Sequence, residues 1–98
     1  MDREELKSKL TALFSHYNVD EVWVGSNCDI FDNFSCPEIY LISQEDTTQL
    51  KREIASLYEY CDSNGTYLYA NVMDYIKMEA VDYFMSTAKQ VYKGGEWL

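Results

Sequence analysis

The chain has 98 residues, of which 47% are hydrophobic and 15% aromatic, and its 17 acidic and 8 basic side chains give a formal net charge of −9. This length suits one domain with one modest core, so we expect a single domain over residues 1–98. The apolar content excludes a disordered acidic chain. The charge repels phosphate, which argues against direct binding of nucleic acid.

The first predicted element is a helix that ends near Asn18. Its apolar residues recur at helical spacing: Leu6, Leu10, Leu13, Phe14 and Tyr17. A short β-favouring run, Glu21–Val24, then ends at the Gly25-Ser26 pair. The polar stretch over residues 27–35 predicts a loop.

The middle of the chain predicts a strand, a helix and a third strand. Glu38–Ile42 has the strongest strand pattern in the sequence. Asp46 and Gln49 have the spacing of a capping box that begins a helix. The apolar residues of this helix are Leu50, Ile54, Leu57, Tyr58 and Cys61. Asp62–Gly65 predicts its end, and Thr66–Val72 predicts the third strand.

The last part of the chain predicts a helix from Asp74 to Ala88. A short extended piece at residues 91–92, before Gly94-Gly95, is an open alternative to further coil. The chain contains no internal repeat, linker or low-complexity segment. The predicted order is therefore α-β-β-α-β-α, a small mixed β-sheet backed by helices in the α+β class.

Location is predicted from what the sequence lacks. Residues 2–5 are charged and the N-terminal part carries no apolar secretory signal, and no apolar stretch is long enough to span a bilayer. The cysteines are odd in number and without CxxC spacing, which indicates reduced thiols rather than a disulfide frame or a zinc site. We expect a cytoplasmic protein without membrane contact, and the oligomeric state stays open.

A strand that ends in Gly-Ser and a following strand that begins with an acid together carry a family resemblance. The run Val22–Ser26, followed after a loop by Glu38–Ile42, resembles the minimal nucleotidyltransferases (polymerase-β-like), a family with antitoxin-type members. That family has two acidic residues at alternate positions of the second strand and a third acid on a later strand. The tail, Met85–Leu98, resembles the family's closing helix and short final strand.

The resemblance implies that Gly25 and Ser26 lie near nucleotide phosphates and that the acids hold divalent metal ions. This chain departs from that pattern, because Glu38 stands at the first acidic position but Tyr40 at the second. A neutral phenol is a poor magnesium ligand. The predicted third strand has no carboxylate, and the loop after Gly-Ser lacks the family's basic residue.

We therefore expect no catalytic residue, no metal and no cofactor, and we interpret Gly25, Ser26 and Glu38 as a vestigial nucleotide site. The cleft beside Gly25 is expected to be largely filled by Tyr40 and its neighbours. His16, the only histidine, has no evident partner and is interpreted as a packed or surface residue rather than a base. Trp97 has two possible interpretations: it packs on the core, or it is an exposed anchor for a partner.

The leading hypothesis is a protein that is not an enzyme: an inactive nucleotidyltransferase-like module that binds and regulates another protein, as an antitoxin does. One alternative is an acidic inhibitor that occupies the basic, nucleic-acid-binding surface of another protein. Another is a residual metal-dependent nucleotidyltransferase, which would rest on Gly25-Ser26 and Glu38. Because the acidic residues are scattered, their charge is also consistent with a role in solubility alone.

Overall fold

The computed structural model describes residues 2–32, 38–58, 68–70 and 87–98. The elements in this part of the chain are α1 (Arg3–His16), β1 (Val19–Gly25), β2 (Ile39–Ser43), α2 (Thr48–Ala55), β3 (Leu68–Ala70), β4 (Ala88–Lys93) and β5 (Glu96–Trp97). The sheet order is β3-β2-β1-β4-β5, with β2 and β3 parallel and all other neighbours antiparallel. The predicted α+β class with a mixed sheet is confirmed.

Local hydrogen bonds explain where helix α1 begins and ends. The Asp2 carboxylate caps its first turn by accepting the Glu5 N–H at 2.8 Å, which satisfies a backbone donor that the helix itself leaves unpaired. After its C-cap at Tyr17, Asn18 adopts a left-handed conformation with φ of 53°. Asparagine tolerates that conformation better than most residues, so the predicted stop is confirmed.

In the described part of the chain, the core lies between helices α1 and α2 and one face of the sheet. Alternate residues of β1 and β2 point to opposite faces, so Val22 and Val24 join the core while Trp23 packs in a separate cluster with Tyr40. The fully buried apolar side chains are Leu6, Leu10, Phe14, Val22, Val24, Ile39, Leu41, Leu50 and Ile54. Both helices are thus held on one face, as their apolar patterns predict. None of the helices within the described ranges is long and apolar enough to cross a membrane.

The extended piece suggested at residues 91–92 lies within β4, but this strand already begins at Ala88, the last residue of the predicted helix. Strand β4 pairs antiparallel with β1, which places Ala88 opposite Gly25. Gly94 and Gly95 then turn the chain into β5 with φ of 59° and 87°, as a two-residue hairpin requires. The placement of Ala88 in the helix was wrong because the backbone bonds that make β4 a strand come from a distant segment.

Helix α2 is shorter than predicted, since it ends at Ala55 rather than continuing to Cys61. The chain turns there, and the Tyr58 hydroxyl donates a hydrogen bond to the backbone oxygen of Ile30 at 2.5 Å. The start also differs from the predicted capping box: Asp46 accepts from the backbone and hydroxyl of Thr48, at 2.9 and 2.7 Å. The helix predicted from residue 74 and the flanks of the predicted third strand lie outside the described residues.

Trp97 packs on the core. Its ring centroid lies 5.7 Å from that of Phe14, 5.0 Å from that of Phe31 and 5.4 Å from that of Tyr92. The indole N–H also donates to the Thr11 hydroxyl at 2.8 Å. Since Thr11 and Phe14 belong to α1, this one side chain joins the C-terminal hairpin to the first helix.

Replacement of Trp97 by alanine is expected to lower the free energy of unfolding by about 3 kcal/mol, the low end for loss of a large aromatic ring because Trp97 is only half-buried. Urea unfolding followed by circular dichroism measures this. Leu98→Ala is the matched control, since Leu98 is 72% exposed and should change stability by less than about 0.5 kcal/mol. Equal losses in the two variants would contradict the role given to Trp97.

Tyr58 makes stability fall at alkaline pH. Burial raises the pKa of its hydroxyl well above the ordinary value, so this group stays neutral in the folded protein when an unfolded tyrosine ionises near pH 10. The contribution of Tyr58 to the free energy of unfolding is therefore complete below about pH 10 and is lost as the pH rises further. Tyr58→Phe should reduce the slope of unfolding free energy against pH above 10, measured by urea titration. An unchanged slope would refute this assignment.

Candidate functional site

The end of β1 meets the start of β2 at Gly25. We call this region the Gly25 corner and define it by the residues Gly25, Ser26, Cys28, Glu38 and Tyr40. The Gly25 N–H donates to the backbone oxygen of Glu38 at 3.0 Å. A Cβ atom on Gly25 would lie 3.1 Å from Cys28 Sγ and 3.5 Å from Glu38 Oε2. The absence of a side chain therefore permits this close approach, and the sequence-predicted residues Gly25, Ser26 and Glu38 do lie together.

Three backbone donors of the Gly25 corner are engaged within the protein. Besides the bond from Gly25, the Ser26 N–H donates to the Thr87 oxygen at 2.9 Å, and the Cys28 N–H donates to the Gly25 oxygen at 2.8 Å. A phosphate-binding loop needs N–H groups that point at the anion. The N–H groups of the Gly-Ser pair are directed at carbonyl oxygens instead, so they are not available to a phosphate in this conformation.

Glu38 and Tyr40 lie two residues apart along the chain and so point to the same side of the sheet. The Tyr40 hydroxyl donates a hydrogen bond to Glu38 Oε2 at 3.0 Å. The carboxylate of Glu38 is therefore partnered by a neutral donor at the position where the resemblance implies a second carboxylate. Among the described residues, no group of three or more His, Cys, Asp or Glu side chains is placed to hold a metal ion.

The loop after Gly25 is held to the first helix by a charge pair. Arg3 Nη1 lies 2.6 Å from Asp29 Oδ2, and the Arg3 guanidinium also lies 5.2 Å from the centre of the Phe31 ring. The hydrogen bond from Arg3, with another from the Phe31 N–H, holds the pKa of Asp29 below its ordinary value. Asp29 thus positions the loop, a role that its sequence separation from Arg3 conceals.

His16 and Cys28 lie in different settings. His16 is exposed, and its ring meets that of Tyr17 edge-on with 4.8 Å between centroids, which confirms the surface interpretation. Cys28 is half-buried and packs against the core beside Gly25. Its contact with Gly25 was missed from the sequence, although a four-residue turn directly after a strand is a signal that could have indicated it.

Comparisons of the chain with models of protein families, with curated proteins and with solved structures found no match. Function is therefore inferred from the chain's own residues and their geometry.

Gly25→Ala tests the close approach at the Gly25 corner. The added Cβ atom would lie 3.1 Å from Cys28 Sγ, so we expect the free energy of unfolding to fall by about 1 kcal/mol. This is the low end of overpacking costs, because alanine also restricts the unfolded chain. In a Cys28→Ala background the same change should be neutral or stabilising, since the sulfur is absent. A double-mutant cycle of unfolding free energies measures this coupling. An equal loss in both backgrounds would contradict the contact.

Proposed function

We propose that this protein is a catalytically inactive, nucleotidyltransferase-like module that binds and regulates another protein, in the manner of an antitoxin. The observation that carries the proposal is the pairing of Glu38 with Tyr40, whose hydroxyl lies 3.0 Å from Glu38 Oε2. The arrangement of a strand ending in Gly25-Ser26 beside a strand that starts next to Glu38 supports the family likeness.

The Glu38–Tyr40 pair argues against chemistry on a nucleotide. Nucleotidyl transfer needs divalent metal ions that neutralise the triphosphate and activate the attacking oxygen. Magnesium is held by several hard oxygen ligands, among which anionic carboxylates dominate in proteins. Glu38 supplies one carboxylate, whereas the Tyr40 phenol is neutral at physiological pH. One carboxylate and a phenol provide too little negative charge to bind a metal pair.

Phosphate binding is also disfavoured at the Gly25 corner. The N–H groups of Gly25 and Ser26 donate to the carbonyl oxygens of Glu38 and Thr87, and both bonds belong to the pairing at the end of β1. A phosphate could take these donors only by breaking those bonds, which leaves two carbonyl groups unsatisfied. The exposed Glu38 carboxylate would in addition repel the anion.

A role in protein binding needs a stable surface and no reacting group. Outside the Gly25 corner the fold is stabilised by Trp97, which joins the C-terminal hairpin to α1. The net charge of −9 and the nine tyrosines suit contact with another protein more than contact with nucleic acid. The antitoxin-type relatives of the resembled family suggest a toxin or another effector as the partner.

The nucleotide prediction is tested by thermal shift with each of the four ribonucleoside triphosphates, with and without Mg²⁺ or Mn²⁺. A ligand at a hundred times its dissociation constant adds roughly 2.7 kcal/mol, which raises the melting temperature of a domain of this size by several degrees. We expect no metal-dependent shift for the natural sequence. A clear shift would overturn the proposal and direct attention to Glu38→Gln in an activity assay.

A matched pair of variants tests Tyr40 as the residue that keeps metal out. Tyr40→Asp restores two carboxylates at alternate positions of one strand, so we expect Mn²⁺ to raise its melting temperature, while Tyr40→Phe should remain insensitive. Isothermal titration with Mn²⁺ alone gives a second readout. If Tyr40→Asp binds no Mn²⁺ although it is folded by circular dichroism, the exclusion of metal does not depend on Tyr40.

The protein-binding part of the proposal is tested separately. The tagged protein is used to isolate its partner from the source cells at about 0.15 M and about 1 M salt, where the screening length falls from about 8 Å to about 3 Å. An effector bound through a packed interface should persist at high salt, whereas binding by an acidic inhibitor to a basic surface should be lost. The partner is then expressed alone and together with this protein. Relief of a growth defect is expected, and its absence would contradict the antitoxin-like role.

A further inference from the structure

We draw no further inference here: the strongest candidate, the open groove between α1 and α2 that Leu13 and Leu57 line, carries no proposal because nothing in the structure shows what covers it.

Discussion

Strand β1 is hydrogen-bonded on both sides, to β2 and to β4, and the described part of the fold is organised around this central position. Its alternation directs Val22 and Val24 towards the helices, and Trp23 towards the other face. The same pairing continues to the end of the strand, where Gly25 lies opposite Ala88 and its N–H donates a hydrogen bond to the backbone oxygen of Glu38. The sheet therefore determines both the core and the conformation of the Gly25 corner.

The pairing also directs the N–H groups of the Gly-Ser turn at carbonyl oxygens of neighbouring segments. In a phosphate-binding turn the backbone leaves the sheet, so that its N–H groups point at the anion. In this protein the ladder extends through Gly25 and into Ser26, whose N–H reaches the Thr87 oxygen. The same two residue types can thus serve as a cradle or as the end of a strand, depending on whether a neighbouring strand takes up their hydrogen bonds.

Tyr40 gives Glu38 a hydrogen-bond partner that carries no charge. Two carboxylates at alternate strand positions repel each other unless a cation lies between them. Tyrosine removes that repulsion, donates a hydrogen bond to Glu38, and places its ring directly across from Trp23 on β1. Aromatic residues facing each other across antiparallel strands stabilise a sheet. Tyr40 therefore both partners Glu38 and packs with Trp23 on the face of the sheet opposite the main core.

Local patterns in the sequence were sufficient for α1, for the position of β1 and β2, and for the α+β class, because capping and apolar periodicity act over a few neighbouring residues. The family resemblance also predicted that Gly25, Ser26 and Glu38 lie near one another, which the geometry of the Gly25 corner bears out. The end of α2 could not be predicted, since Leu57 and Tyr58 reach the core from a turn as well as they would from a helix.

Only the tertiary structure decided the strand identity of Ala88, the joining of Trp97 to α1, the charge pair between Arg3 and Asp29, and the use of the Ser26 N–H. Each depends on groups far apart in the chain that meet when the sheet is assembled. A single sequence determines the local preference of each segment, but it does not specify which distant segment supplies the hydrogen bond or the packing surface.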